Sequence, residues 1–289
     1  MTGRGFLRYV GLADAYGMGW EFVSDFAQAG PNDLSRFCRN PRFPTYPPGT
    51  YSDDTQMSLA NARVLLARGC APLDFATAWV ETFLADPRLG YSRWMRETLV
   101  ACRSGTDFLR RFAGNRGTGS GACMRAGVVG LMPDLERVFG VAALQASITH
   151  DSLVGILAAQ VVAGAVHHAH WGLGSMTELE HFLVHRLGHW REHVDWTDPR
   201  QGLHVVARAL QSVVAHTSLA SLLRHCVDHG EGQDTDTIAA IAMAIAVRAT
   251  EYHDDLPAVL WRDFEPGGQG EELRRMDHQL LDAFPGSTI

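Results

Sequence analysis

The sequence predicts an all-α fold, because apolar residues recur at helical spacing along most of the chain. Strand-like alternation of apolar and polar residues is not evident over any segment. Gly, Pro, Asp or Asn, the residues that commonly end helices, separate the apolar stretches. After a first stretch that ends near Gly17, the predicted helices cover about 54–68, 72–85, 92–103, 122–131, 134–147, 151–169, 176–191, 200–215, 218–228 and 236–250.

The longest irregular segment covers about 30–49 and contains five prolines. A loop of that length in a compact domain is usually functional or mobile. No linker, low-complexity tract or internal repeat interrupts the pattern. We therefore expect residues 1–289 to form a single domain with ample material for a buried core.

The composition is that of a soluble globular protein, with 46% apolar and 20% charged residues. With a net charge of −7 we do not expect non-specific nucleic-acid binding, because release of counterions from the phosphate backbone needs a basic protein surface. The longest apolar stretch, 153–166, is too short to span a bilayer and predicts a buried helix, so we expect no membrane segment.

The cysteines are odd in number, scattered and without a Cys-x-x-Cys pair, which is typical of reduced thiols in a cytoplasm. Residues 1–9 lack the apolar core and small-residue cleavage site of a secretory leader. The sequence thus predicts a cytoplasmic location. The five cysteines are Cys38, Cys70, Cys102, Cys123 and Cys226.

Two acidic clusters are the strongest functional signal. Ser-Asp-Asp-Thr at 52–55 and Asp-Thr-Asp-Thr at 234–237 each open an Ala-rich apolar run. One such cluster could be a helix N-cap, since Asp, Ser and Thr satisfy free amides there. Two clusters of similar build favour hard divalent cations, which take oxygen ligands. We expect a two-metal site that orients a substrate oxygen and a water molecule.

Three further segments carry weaker signals. Gly119, Ser120 and Gly121 precede Met124 in a Gly-rich stretch that could bring backbone amides to a phosphate, although an ordinary tight turn has the same composition. His150 could be a ligand-binding group or a structural hydrogen-bonding residue. The same ambiguity holds for Glu21, which in isolation has the pattern of a solvated charge.

Taken together and in order, these segments resemble the ADP-ribosylglycohydrolase family. The matching motifs are spread over nearly the whole chain, and the paired acidic motifs are the most specific of them. They are Gly11-Leu12-Ala13-Asp14 with Gly17 and Glu21, Ser52-Asp53-Asp54-Thr55, Pro87-Arg88-Leu89-Gly90-Tyr91, Gly119-Ser120-Gly121-Ala122-Cys123-Met124-Arg125, Thr149-His150, and Gly232-Gln233-Asp234-Thr235-Asp236-Thr237.

The resemblance implies a compact, orthogonal multi-helix domain with two magnesium ions, sometimes manganese, in a central cleft. By motif position, the implied metal ligands are Ser52, Asp53, Asp54, Asp234, Asp236 and Thr237. The implied substrate-binding residues are Gly119, Ser120, Gly121, Met124, His150 and Tyr91. Glu21 is expected on a mobile segment beside the metals, and one carboxylate among Asp53, Asp54 and Asp236 is expected to take a proton from water.

The implied reaction is hydrolysis of the bond between the anomeric carbon of ADP-ribose and an acceptor. We expect the acceptor to be arginine on an ADP-ribosylated protein, by analogy alone. Serine-linked, small-molecule or nucleic-acid-linked ADP-ribose are alternatives, as are a metal-dependent phosphatase and a non-catalytic binder that neutralises an ADP-ribosyltransferase. Ser52 and Ser120 depart from the family's Thr and Asn. The first change keeps the hydroxyl, and the second removes an amide, which bears on substrate choice.

One histidine pattern invites a metal interpretation that we set aside. His181, His185, His189 and His193 recur every four residues, as on one stripe of a helix. Because Glu and Arg surround them, we expect a solvated face, and the same for the histidines at 167–170. Neither group has a matching acidic motif.

Overall fold

Thirteen α-helices make up the described parts of the chain. The computed structural model describes residues 4–228 and 232–287, so the outermost residues of the predicted domain, 1–289, lie outside the described residues. The helices are α1 Leu7–Gly17, α2 Asp53–Leu66, α3 Pro72–Ala85, α4 Arg93–Ala101, α5 Gly105–Phe112, α6 Leu135–Ser147, α7 Leu153–His170, α8 Leu179–Leu187, α9 Gly202–Ala215, α10 Leu219–Asp228, α11 Thr235–Ala246, α12 Ala258–Asp263 and α13 Gly270–Ala283.

The all-α prediction is confirmed. Within the described ranges the chain has isolated β-bridges but no named strand. The predicted helices at the two acidic motifs begin at Asp53 and Thr235, within a residue or so of the expected starts. Residues 30–49 are irregular, as expected.

The prediction of one helix over 122–131 is wrong, because this segment forms short 3₁₀ turns, including 127–131. At Gly130 a Cβ would lie 2.4 Å from the Ala163 carbonyl oxygen, so this segment packs directly on α7. Helices α5, α12 and α13 were not predicted. In α13 the buried residues Leu273, Met276 and Leu280 do follow helical spacing.

The helix expected over 176–191 also ends earlier than predicted. Helix α8 stops at Leu187, because Gly188 adopts φ 73° and turns the chain. His189 and His193 therefore lie beyond the helix. All four stripe histidines are exposed, as expected.

Helix α7 forms the centre of the core. It has 18 residues and a mean hydropathy of 1.3, enough by length and composition alone to cross a membrane, but 78% of it is buried inside the fold. The expected buried helix is confirmed. The solvated face expected for its last turn is wrong: His167, His168 and His170 are buried. His170 contacts the Phe284 carbonyl oxygen through Nε2 at 3.0 Å, because the chain after α13 covers this end of α7.

Helices α1 and α11 pack closely along the core, and α2 lies against both. Asp277 of α13 fixes the start of α1, since its carboxylate accepts hydrogen bonds from the amides of Phe6, Leu7 and Arg8. Free amides at a helix N-terminus need such acceptors. This packing sets the end of α1 beside the starts of α2 and α11, where the acidic motifs lie.

Candidate active site

The end of α1 and the start of α11 touch at a glycine. A Cβ on Gly17 would lie 2.5 Å from the Thr235 carbonyl oxygen and 2.7 Å from the Asp236 Cα, so only glycine allows this approach. Thr235 Oγ1 donates to the Gly17 carbonyl oxygen at 2.8 Å. The Phe22 amide donates to the Gln233 carbonyl oxygen at 2.8 Å. These contacts hold Glu21 against the second acidic motif.

Asp14 joins α1 to the first acidic motif. Its carboxylate accepts from the amides of Ser52 and Thr55, at 3.0 and 3.1 Å, and from Thr55 Oγ1 at 2.5 Å. Burial raises the pKa of Asp14 to about 6, against the effect of these hydrogen bonds. Asp14 thus accepts hydrogen bonds from amides at the start of α2 that have no partner within the helix. It thereby fixes the direction in which Asp53 and Asp54 project.

The segment before α4 completes the wall beside Asp53. Gly90 has φ 100°, and a Cβ there would lie 1.9 Å from Asp53 Oδ1. The Asp53 amide donates to the Leu89 carbonyl oxygen at 3.0 Å. Tyr91 is buried, and its hydroxyl donates to Gln56 Oε1 at 2.9 Å. Gly90 is therefore the residue that lets this segment lie against the acidic motif.

Five buried carboxylates converge where these elements meet. One oxygen from each of Glu21, Asp234 and Asp236 lies within 4.8 Å of the others. Asp53 and Asp54 line the same cavity. Burial raises the pKa of four of the five carboxyls well above its ordinary value, and neighbouring carboxylates raise it further. Those four are Glu21, Asp53, Asp54 and Asp236.

Carboxylate oxygens that cap a helix accept hydrogen bonds from backbone amides, whereas oxygens reserved for an ion have no such partner. At α2 the Ser52 hydroxyl accepts from the Asp54 amide at 3.4 Å, whereas the Asp234 side chain makes no capping bond at α11. Glu21 Oε2, Asp54 Oδ1 and Asp236 Oδ1 are buried without a hydrogen-bond partner in the described residues. Buried polar atoms normally have a hydrogen-bond partner, so these three oxygens are free to bind an ion or a water molecule. An all-oxygen, anionic donor set fits a hard divalent cation.

The Gly-rich segment is tied directly to the acidic cluster. Ser120 Oγ donates to Asp234 Oδ2 at 2.7 Å. Gly119 pairs with Gln201 in an isolated bridge, and the Gly202 amide donates to the Thr118 carbonyl oxygen at 2.8 Å. Where the family pattern has Asn, the shorter Ser side chain therefore orients a carboxylate of the cluster.

A relay of hydrogen bonds positions His150. Arg125 Nη2 donates to Thr149 Oγ1 at 2.8 Å, and Thr149 Oγ1 lies 2.8 Å from His150 Nδ1. Because guanidinium only donates, Thr149 Oγ1 accepts from Arg125 and keeps its own hydrogen, which it can donate to Nδ1; the His150 proton is then on Nε2. Burial, with the charge of Arg125, lowers the pKa of His150 to about 3, so the ring is neutral at pH 7. In that tautomer His150 donates a hydrogen bond through Nε2.

Arg125 also links the Gly-rich segment to α6. Its guanidinium donates to the Gly121 carbonyl oxygen at 2.7 Å and to Gln145 Oε1 at 2.6 Å, and it lies over the Trp79 ring. Burial lowers the pKa of Arg125 to about 9, which leaves a cation at pH 7. This buried cation lines the same cavity as the carboxylates.

The five carboxylates, the Gly-rich segment, Arg125 and His150 line one cavity of about 620 Å³, a size typical of small-molecule sites. The structure brings every residue of the predicted site to this cavity except Ser52. Ser52 is buried, does not line the cavity and accepts a hydrogen bond from the Asp54 amide, so its role as a metal ligand stays a prediction. The predicted residues on the lining are Glu21, Asp53, Asp54, Tyr91, Gly119, Ser120, Gly121, Met124, His150, Asp234, Asp236 and Thr237.

Several lining residues were missed by the sequence reasoning. Arg125 stands next to Met124 in a recognised motif, and that adjacency was an available signal. Arg42 and Arg200 lie in loops without a motif, so nothing in the local sequence marks them. Trp94 packs against Phe112, with ring centroids 4.3 Å apart and ring planes inclined by 55°, and adds an aromatic wall.

Comparison with known proteins assigns the family. A model of the ADP-ribosylglycohydrolase family matches residues 4–288. The chain belongs to the ADP-ribosylglycohydrolase family. It is 29% identical over 294 residues to ADP-ribosyl-(dinitrogen reductase) glycohydrolase of Rhodospirillum rubrum, covering 94% of each chain. The family resemblance inferred from the motifs is confirmed.

Other relatives match less of their length. The chain is 33% identical over 150 residues to ADP-ribosylhydrolase ARH3 of Bos taurus and of Homo sapiens, an alignment covering 49% of this chain and 40% of either relative. A solved structure, an ADP-ribosylglycohydrolase-related protein complex, superposes with a TM-score of 0.71 at 23% identity over 95% of each chain. That likeness confirms the fold. These relatives are named as ADP-ribosylhydrolases and as an ADP-ribosyl glycohydrolase.

Proposed function

We propose that this protein is a divalent-cation-dependent hydrolase that releases ADP-ribose from arginine on a modified protein. The observation that carries the proposal is the group of buried carboxylates with unpaired oxygens in a nucleotide-sized cavity. The relative that matches over nearly its whole length is named as acting on a protein, dinitrogen reductase, which supports a protein acceptor here.

Two magnesium or manganese ions would be held by Asp53, Asp54, Asp234 and Asp236, with Thr237 and Glu21 beside them. When bound, such ions supply positive charge that orients ribose hydroxyls and an attacking water molecule. Thr237, at the start of α11, forms a hydrogen bond with Asp54, at the start of α2. This bond lowers the pKa of Asp54 and so favours its ionised form. Both acidic motifs then act on one site.

The remaining lining residues orient the substrate. The amides of Gly119 and Gly121 and the His150 Nε2–H suit the diphosphate, since each can donate a hydrogen bond to a phosphate oxygen. Tyr91 and Trp94 provide apolar faces for the base and ribose. One carboxylate of the cluster accepts the proton that water loses, and the acceptor leaves with a proton from solvent or from that carboxyl.

The deciding experiment measures free ADP-ribose released from arginine-, serine- and nucleobase-linked substrates, with magnesium and with a chelator. Magnesium-dependent release from the arginine-linked substrate is the expected result. Asp53→Asn should abolish it, whereas Asp282→Asn, an exposed carboxylate on α13, should retain it. Tight ADP-ribose binding without release from any substrate would contradict the proposal and favour a binding or neutralising role.

A further inference from the structure

The cavity is acidic at its floor and basic at its rim. Each described carboxylate on the lining is buried. Three of the four arginines on the lining are exposed, and Arg125 is the buried one. The exposed three are Arg42, Arg93 and Arg200. Because the whole protein carries a net charge of −7, this basic rim is a local feature that opposes the overall charge.

The rim arginines are free of ion pairs with the described carboxylates. Arg63, Arg88 and Arg191, in contrast, each pair with a glutamate. The Arg42 and Arg200 guanidinium groups instead lie over the Phe22 ring, with their Cζ atoms 5.4 and 5.2 Å from its centroid. A guanidinium held by an aromatic face keeps its N–H edges available for bidentate contact with an anion.

The position of Phe22 places Arg42 and Arg200 close to the carboxylate cluster. Phe22 follows Glu21 directly, and its amide is bound to the Gln233 carbonyl oxygen beside the second acidic motif. Arg42 Nη1 donates to the Phe22 carbonyl oxygen at 3.4 Å, which leaves the other N–H groups of this guanidinium for an anion. The two guanidinium groups therefore flank the edge of the cavity next to its carboxylate floor.

The size of the cavity determines which part of a substrate can enter it and which part contacts the rim. A volume of about 620 Å³ admits a nucleotide-sized group but not a folded polypeptide. With the proposed function as the premise, ADP-ribose lies inside, and the residues flanking the modified one lie across the rim. Guanidinium groups attract carboxylates there and repel lysine and arginine, which sets preference among acceptors.

We propose that Arg42 and Arg200 form a docking pair for acidic side chains that flank the ADP-ribosylated residue of a protein substrate. The preferred acceptor is then a modified residue within a segment rich in Asp and Glu. A nucleic-acid acceptor would also present anions. However, three exposed arginines on a protein of net charge −7 do not make the extended basic surface that a phosphate backbone needs.

The test uses ADP-ribosylated arginine peptides of one length with Glu, Gln or Lys on both sides of the modified residue. At low salt, kcat/KM is expected to fall in the order Glu, Gln, Lys, with about a tenfold range that narrows as salt rises. The double variant Arg42→Gln, Arg200→Gln should bring the Glu-to-Lys ratio close to one, chiefly by raising KM for the Glu peptide. Arg137→Gln, Arg224→Gln removes the same charge from exposed positions off the cavity lining and should keep the ratio.

Fluorescence anisotropy measures the affinity for each peptide separately from its hydrolysis. Preference for the Glu peptide in binding without hydrolysis would refute the proposed function alone. Equal kcat/KM for the three peptides, with hydrolysis intact, would refute the docking pair alone. A uniform loss of affinity in the Arg42, Arg200 variant, extending to free ADP-ribose, would show that these arginines bind ADP-ribose itself. Preference for ADP-ribosylated oligonucleotides over the Glu peptide would also overturn the inference.

Discussion

Gly17→Ala tests the junction on which the candidate site depends. The added Cβ would lie 2.5 Å from the Thr235 carbonyl oxygen and 2.7 Å from the Asp236 Cα. Both are backbone atoms of the acidic motif at α11, so no side-chain rotation relieves the contact. The two helices must move apart, and Asp236 moves with α11 away from Glu21.

Overpacking of this kind costs about 1–3 kcal/mol of folding free energy. For a chain of this size, that corresponds to a Tm lower by roughly 2–5 °C. Gly140→Ala provides the matched control, because Gly140 lies within α6 with no atom within 4 Å of the added Cβ. That substitution should stabilise the protein by about 0.5–1 kcal/mol, since alanine favours the helix.

The assay is thermal unfolding of the three proteins, followed by titration with manganese. Gly17→Ala should lower Tm and weaken cation binding, and Gly140→Ala should raise Tm and leave cation binding unchanged. A Gly17→Ala protein with unchanged Tm and unchanged cation affinity would refute the reasoning, because it would show that α1 and α11 do not meet as closely as described.

Three further substitutions address the site itself. Asp236→Asn should lose cation affinity and ADP-ribose release together in calorimetric and product assays, and full retention of both would show that Asp236 is not a ligand. Ser120→Ala removes the donor to Asp234 Oδ2 and should weaken manganese binding by about tenfold, the value of a hydrogen bond to a charged group; unchanged affinity would show that Ser120 does not orient Asp234. Thr149→Val should weaken ADP-ribose binding about 2–10-fold and mix the His150 tautomers in nitrogen NMR spectra, with Thr149→Ser restoring both. Retention of a pure Nε2–H tautomer in the valine variant would contradict the relay.

The acidic motifs could be predicted from the sequence because their chemistry is local. Asp53 with Asp54, and Asp234 with Asp236, are spaced so that oxygen ligands gather at one helix start. The junction that brings the two starts together depends on Gly17 and Asp14, whose roles are contacts between distant segments. The early motif named both residues but gave neither a role.

The errors follow from burial that local patterns do not record. His167 and His170 have the composition of an exposed helix end, yet Met132 and the chain after α13 cover them. Arg42 and Arg200 converge on Phe22 from loops far apart in the chain, so no motif could have paired them.

The central claim is that the buried carboxylates form a cation site. Anomalous diffraction from crystals grown with manganese tests it most directly, because it locates ions without reference to activity. The account predicts anomalous peaks among Asp53, Asp54, Asp234 and Asp236, beside the oxygens of Asp54 and Asp236 that lack a hydrogen-bond partner in the described residues. Fully ordered carboxylates with no anomalous peak between the starts of α2 and α11 would contradict it.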